Sequence, residues 1–232
     1  MNPVCLITGA GPGTGTALVA RFAEGGYRVA MLARDEERLA QLSQRHDGAV
    51  AYPCDVSDNE ALTSIYARIK DELGAPGIIV HNAVAAQPGV YTEVSAKRMR
   101  LAFEVNTIAL LTLAQLATPD MLNTGGGAII ATGNTAAYRG RPRFAGFAPT
   151  KAAQRILLES IAREAGPKGI HAAYVAIDAV IDVPWTRQAY ADRPDEFFCQ
   201  PADIAEECFR IAHQPRSAWT FESVIRPFGE TW

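Results

Sequence analysis

The segment Val4-Cys5-Leu6-Ile7-Thr8-Gly9-Ala10-Gly11-Pro12-Gly13-Thr14-Gly15 sets a short apolar run directly against a cluster of glycines, and the residues after it carry a helical apolar face that includes Leu18 and Phe22. An apolar run without polar alternation reads as a parallel strand buried on both faces. Glycine lets the backbone turn tightly and approach a ligand closely, while the unpaired amides and the dipole at a helix start favour negative charge. An ordinary glycine-rich turn would use the same residues. The order strand, loop, helix, second strand favours a pyrophosphate cradle formed by Gly9, Gly11, Pro12, Gly13, Thr14 and Gly15.

Working outward, similar runs recur at Val29 to Leu32, Ala49 to Tyr52, Ile78 to Val80, Ala128 to Ala131, Ala172 to Ile177 and Phe221 to Ile225. With the first run they predict seven strands. Helical spacing fills the gaps at about Asp35 to His46, Ser95 to Met121, Pro149 to Ala165 and Pro201 to Ala212. Another helix carries Leu62, Ile65 and Ile69 on one face and is entered through Ser57-Asp58-Asn59-Glu60, which has the form of a capping box. Strands alternating with helices imply parallel pairing with right-handed crossovers, hence an α/β, Rossmann-like doubly wound seven-stranded parallel sheet. No linker-like tract or fixed-period repeat divides residues 1–232, so a single domain is expected.

Composition bounds the function. The 232 residues are 48% hydrophobic and 20% charged, enough apolar material for one large core. A formal charge of −3 argues against a nucleic-acid partner, whose phosphates demand a basic face. The absence of a long apolar run and of a leader pattern gives no membrane partner and a cytoplasmic expectation. Cys5, Cys54, Cys199 and Cys208 are widely spaced and read as free thiols, and His46, His81, His171 and His213 lack metal-ligand spacing. No metal is expected.

The second strand ends Ala33-Arg34, where an NAD site usually offers a carboxylate to the ribose 2′-hydroxyl. Ala33 offers none, and the Arg34 guanidinium suits a 2′-phosphate. The cofactor expectation is therefore NADP(H), with NAD(H) the less preferred alternative. A solvated strand-end arginine is the plainer reading of Arg34, and Asp35 reads as a helix cap.

With these residues in place, the chain resembles the short-chain dehydrogenase/reductase family over essentially its whole length. Thr8 to Gly15 matches the family's Thr-Gly-x-x-x-Gly-x-Gly without a change. The resemblance implies that Asp55 and Val56 meet the adenine, that Asn82 and Ala83 lie beside the cofactor, and that Val180 offers a backbone contact to the nicotinamide amide. It also implies that Asn106 is the family's helical asparagine, a structural and proton-relay residue, and that Lys151 holds the nicotinamide ribose and, in the family, lowers the pKa of the catalytic phenol. His81 and Val84 depart from the family's Asn-Asn-Ala-Gly, His81 as a packing substitute and Val84 as added bulk.

The catalytic positions depart further. Where the family has Tyr-x-x-x-Lys, this chain has Phe147-Ala148-Pro149-Thr150-Lys151, and Asn134 stands at the position of the family's serine. Phenylalanine can neither give nor take a proton. Asn134 can still donate a hydrogen bond, and Tyr138 is the substitute phenol nearest in sequence, its plainer reading being a loop tyrosine on the cleft rim. Asp178 reads as an alternative acid or, preferably, a turn residue. Residues 182–200, with Trp185, Tyr190, Phe197 and Phe198, match the family's substrate lid and suggest an apolar or aromatic small-molecule substrate, unless the rings merely pin the loop. Arg139, Arg141 and Arg143 read as a solvated run. The helices at Ser95 to Met121 and Pro149 to Ala165, with Leu101, Val105, Ile108 and Leu111/Thr112 as surplus apolar surface, match those the family uses to form a homodimer or homotetramer. The resulting expectation is an NADP(H)-dependent oxidoreductase acting on a carbonyl or alcohol with an altered proton donor. The alternative is a nucleotide-binding sensor or assembly subunit that has lost turnover.

Overall fold

The structure, a computed structural model, describes residues 2–229. Its strands are β1 (Val4–Thr8), β2 (Arg28–Ala33), β3 (Ala49–Pro53), β4 (Pro76–His81), β5 (Gly127–Asn134), β6 (Ile170–Ile177), β7 (Val180–Ile181), β8 (Phe198–Cys199) and β9 (Glu222–Ile225). Seven form one parallel sheet in the order β3-β2-β1-β4-β5-β6-β9. The order reverses between β1 and β4, and in doubly wound sheets ligands sit beyond the strand C-termini at that reversal. The sequence pattern and the sheet agree on all seven strands. The short pair β7 and β8 was not expected, because two residues each carry no periodicity.

The helices are α1 (Thr14–Glu24), α2 (Glu36–Arg45), α3 (Asn59–Leu73), α4 (Ala96–Phe103), α5 (Ala109–Asn123), α6 (Ala148–Ala165), α7 (Pro184–Ala189) and α8 (Pro201–Ala212). Along β1, Leu6 faces the layer that holds Leu62 and Ile69 of α3, Leu113 of α5 and Leu158 of α6. Cys5 and Ile7 face the opposite layer, with Phe22 of α1, Leu39 of α2 and Ile211 of α8. Both faces of the sheet are thus covered, which is why the strands are apolar throughout. Each fully buried Leu or Ile contributes about 1.5–3 kcal/mol. All four cysteines are buried free thiols.

Two local expectations are corrected. Asp58, not Ser57, caps α3 by accepting from Ala61 N at 3.0 Å, while Ser57 turns back to Asp55. An aspartate one residue nearer the helix reaches the open amide directly. The long helix predicted from Ser95 is interrupted by a π-turn at Glu104–Ile108, where Ala109 N donates to Glu104 O. Ser95 caps α4, and Asp35 caps α2 as read from the sequence. The span Ala96–Asn123 is long and apolar enough by composition to cross a bilayer. Here Leu110, Leu113, Ala117 and Met121 are buried in the core.

Candidate active site

The C-terminal ends of β1, β2, β3, β4, β5 and β6 open onto one edge of the sheet and carry nearly every site residue singled out in the sequence. At β1, the amides of Gly9 and Ala10 both donate to Leu32 O, fastening the glycine loop to the end of β2. Gly9 lies so close to the β4 loop that a Cβ there would stand 2.6 Å from the Ala83 backbone. Gly13 has φ +84°, and its added Cβ would stand 2.5 Å from Val183 Cγ1. It caps α1 with no side-chain hydrogen bond, and no acidic residue lies in the first turn. Thr14, 7% exposed, carries a buried hydroxyl with no partner. A narrow cradle, a positive helix end without a side-chain cap and an orphaned donor together fit a dinucleotide pyrophosphate.

Arg34 and Asp55 follow the neighbouring ends of β2 and β3, where Cys54 N donates to Ala33 O. Both side chains are exposed. Desolvation would raise the Asp55 carboxyl, but hydrogen bonds from Ser57 N–H and O–H and the Arg34 charge outweigh it and hold it below the usual range. Val56 is buried beside them.

From β4 a continuous line of hydrogen bonds leads inward. Asn82 Nδ2 donates to Gly9 O at 2.9 Å, and Asn82 Oδ1 accepts from Thr132 Oγ1 at 2.9 Å. Thr132 O accepts from Lys151 Nζ at 3.2 Å, and the same Nζ donates to Gln154 Oε1 at 2.8 Å. Gln154 Nε2 donates to Asn106 O at 2.6 Å. The Asn106 amide pairs in both directions with the backbone of Ala85 and donates to Thr150 Oγ1. Thus Asn82, Asn106 and Lys151 belong to one network. Thr132, Thr150 and Gln154 were missed by sequence reasoning. Gln154 had a signal, since it shares a helix face with Lys151 at i, i+3.

Burial alone pushes the Lys151 ammonium down to about 7. His81, fully buried, has Nε2 3.0 Å from Val105 O and Nδ1 2.9 Å from Thr8 Oγ1. The carbonyl can only accept, so Nε2 carries the proton and Thr8 donates to Nδ1. Desolvation and the Lys151 charge lower its pKa to about 3. The imidazole is a neutral strut between β1, β4 and the π-turn.

The end of the cleft formed by β5 and the start of α6 is more committed to its own packing. Asn134 Oδ1 accepts from Ala136 N, and Nδ2 donates to Ile177 O at 3.0 Å, leaving a single amide hydrogen from the expected donor. Its backbone N–H donates to Tyr174 Oη, a fully buried phenol. Phe147 begins α6 with its ring 6.2 Å from that of Phe144. Tyr138, 41% exposed, turns its hydroxyl to Glu222, and its ring lies 5.4 Å from the Arg155 guanidinium. Thr135 Oγ1 donates to Asp178 Oδ1 at 2.7 Å, consistent with the turn reading of Asp178.

Val180 lies in β7, paired with Phe198 of β8. Arg187 grips Asp182 with two bonds of 2.6 and 2.7 Å, reaches Asp195, and lies 4.0 Å from the Phe198 ring centroid. Tyr190, Phe197 and Phe198 pack ring against ring, whereas Trp185 is exposed. Of the apolar residues expected as surplus surface on the helix from Ser95, Leu101 is exposed and Ile108, Leu111 and Thr112 are half-buried, whereas Val105, in the π-turn, is buried and belongs to the core instead. Arg139, Arg141 and Arg143 are exposed. Among the described residues no group of three or more His, Cys, Asp or Glu gathers in a metal-binding arrangement.

The comparisons with known proteins agree with this architecture. A 3alpha-hydroxysteroid dehydrogenase of Mediterraneibacter gnavus is 30% identical over 182 residues, covering 75% of this chain and 72% of that protein. The crystal structure of a short-chain dehydrogenase from Rhodopseudomonas palustris superposes with a TM-score of 0.84 at 29% identity, covering 98% of this chain and 100% of that one. A metagenomic short-chain oxidoreductase in complex with NADP shares the fold at TM-score 0.84 and 23% identity, covering 97% of each chain. The family model for short chain dehydrogenase matches residues 3–193, from the first strand through the glycine cradle and Lys151 into the segment after β7, and the chain belongs to that family of oxidoreductases.

Proposed function

We propose that this protein is an NADP(H)-dependent oxidoreductase acting on a carbonyl or alcohol carbon, with proton transfer that does not use position 147. The reading is supported above all by the unbroken hydrogen-bond line from Gly9 O through Asn82, Thr132, Lys151 and Gln154 to Asn106. It joins the cradle to the reaction end as one rigid unit. The nicotinamide cofactor, when bound, supplies the hydride. Gly9, Gly11, Pro12, Gly13, Thr14 and Gly15 would hold its pyrophosphate, Arg34 its 2′-phosphate, Asp55 and Val56 its adenine, and Asn82, Ala83, Lys151 and Val180 its nicotinamide half. Protonated Lys151 has three N–H bonds, two already given to Thr132 O and Gln154 Oε1, so one is left for a ribose hydroxyl. The segment 182–200 covers the substrate, which we take to be a small apolar or aromatic molecule meeting Phe147 and Trp185. The exposed Leu101, Leu122 and Ile156 support a homodimer or homotetramer, to be checked by light scattering.

A second reading, binding without turnover, is favoured by the state of the proton donors. Phe147 has no hydroxyl, Asn134 caps its own turn and Tyr138 faces Glu222. Fluorescence titration with NADPH and NADH, followed by NADPH consumption over ketones, aldehydes and quinones, separates the two. Turnover well above a buffer control supports the oxidoreductase. Tight binding with none supports the sensor.

A further inference from the structure

Gln154 is, with Thr150, a fully buried polar residue of α6, and the two ends of its amide meet the two buried polar groups beside it, Asn106 O and the Lys151 amine. Its amide is oriented without ambiguity. Asn106 O can only accept, so Nε2 must face it, and Oε1 is thereby left to face the Lys151 amine. The Asn106 carbonyl lies within the π-turn, where Ala109 N is displaced onto Glu104 O and the regular helical pairing is broken. Such turns expose carbonyls that an α-helix would consume. Lys151 is 3% exposed and its Nζ has acceptors on two sides, Thr132 O and Gln154 Oε1.

We propose that Gln154 is a positioning residue, a clamp between the π-turn carbonyl and the Lys151 amine that aims the one remaining ammonium N–H at the cofactor's ribose hydroxyls. The proposal rests on the cofactor reading above and names a residue through which the site works. With two acceptors already facing the amine, binding favours the charged lysine, whose N–H donors are the stronger. A neutral amine has two N–H bonds, both consumed by Thr132 and Gln154, and leaves a ligand only the nitrogen lone pair, which can accept from a ribose hydroxyl but cannot donate to it. The ammonium has the third. Cofactor affinity should therefore be high at low pH and fall as Lys151 loses its proton. The groups facing Lys151 add no competing titration in that range. Thr132 on β5, Asn106 in the π-turn and Gln154 on α6 do not ionise, and His81 on β4 stays neutral because its pKa is depressed to about 3.

The test measures dissociation constants for NADH from pH 5.5 to 9 in the wild type, Gln154→Leu and Gln154→Glu, alongside the NMR titration of Lys151 Nζ in the unliganded proteins. NADH is the probe because the 2′-phosphate of NADPH itself titrates near about pH 6. The leucine variant should bind about tenfold more weakly, and its pH break should move down because the ammonium has lost an acceptor. The glutamate variant places a carboxylate on the amine, and its break should move up by about one unit or more. Opposite shifts, matched by the NMR titration, support the clamp. A residue that serves packing alone would lower the melting temperature of both variants and leave both pH breaks in place, which overturns it. Should either variant fail to fold, amine hydrogen exchange in the wild type decides, because a clamped Lys151 exchanges far more slowly than surface lysines. If NADH and NADPH both fail to bind the wild type, the cofactor reading falls, while the lysine titration still judges the clamp.

Discussion

The two halves of the site have been treated differently by the sequence. On the side of β1 to β4, the glycine loop, Arg34, Asp55 and Asn82 gather at the strand ends beyond which doubly wound sheets bind ligands, with Thr14 holding an unpaired hydroxyl. On the side of β5 and α6, the same fold presents Phe147 and a self-capping Asn134. Lys151 belongs to both, and its hydrogen bonds run to polar groups that survive without the phenol. A binding site and a reaction site can diverge independently because binding uses backbone shape and a few charges, whereas proton transfer uses one atom.

The strongest way to break the contrast is to restore that atom. Phe147→Tyr should raise carbonyl reduction about 10²- to 10⁴-fold, with a further gain from Asn134→Ser, and the gain should vanish with Lys151→Met. Steady-state NADPH oxidation with a ketone panel reads it. No gain in protein that still binds NADPH would mean that the substrate side has been rebuilt beyond one residue.

On the binding side, Gly13→Val asks a β-branched residue to adopt φ +84° against Val183. Affinity for NADPH and NADH should fall alike, by about a hundredfold or more. A normal circular-dichroism spectrum would place the loss at the loop. Arg34→Ala should be milder and selective, lowering the preference for NADPH over NADH by about tenfold. An unchanged preference would remove the phosphate contact.

The smallest effect concerns stability. The Lys151 pKa in the folded protein, about 7, lies below the ordinary 10.5. Between those values the unfolded chain binds more protons than the folded one, so this group makes folding more favourable as pH rises. Relative to Lys151→Met, the wild type should gain about 1 kcal/mol from pH 7 to 8 in urea unfolding. Parallel pH curves would show that the amine is not desolvated.

Much of the sheet was legible because burial on both faces removes polar residues from every strand, and Val4 to Thr8 or Ala172 to Ile177 can hardly be read otherwise. The helix starts at Asp35 and Pro201 were equally clear. What escaped depends on distant partners. The π-turn has no composition of its own, and Glu104 to Ile108 continues the helical pattern on either side. Gln154 looks like any polar residue on a helix until Asn106 O is brought to it from 48 residues away. Asn134 was read as still able to donate a hydrogen bond, and one of its two amide hydrogens is taken by Ile177 O, a carbonyl that arrives only when β6 pairs beside β5.

The four buried cysteines have a consequence for how the molecule can be watched. Desolvation raises every one of these thiols, Cys54 and Cys199 to about 11 and Cys208 to about 12. An alkylating reagent needs a thiolate, and in the native protein it finds almost none. Each modification must wait for its surroundings to open. Cys199 in β8 times the detachment of β8 from β7, Cys54 times the fraying of the β3 end, and Cys5 with Cys208 times the parting of α8 from the sheet. The chain thus carries internal clocks for separate layers, readable by mass spectrometry without a single added label site.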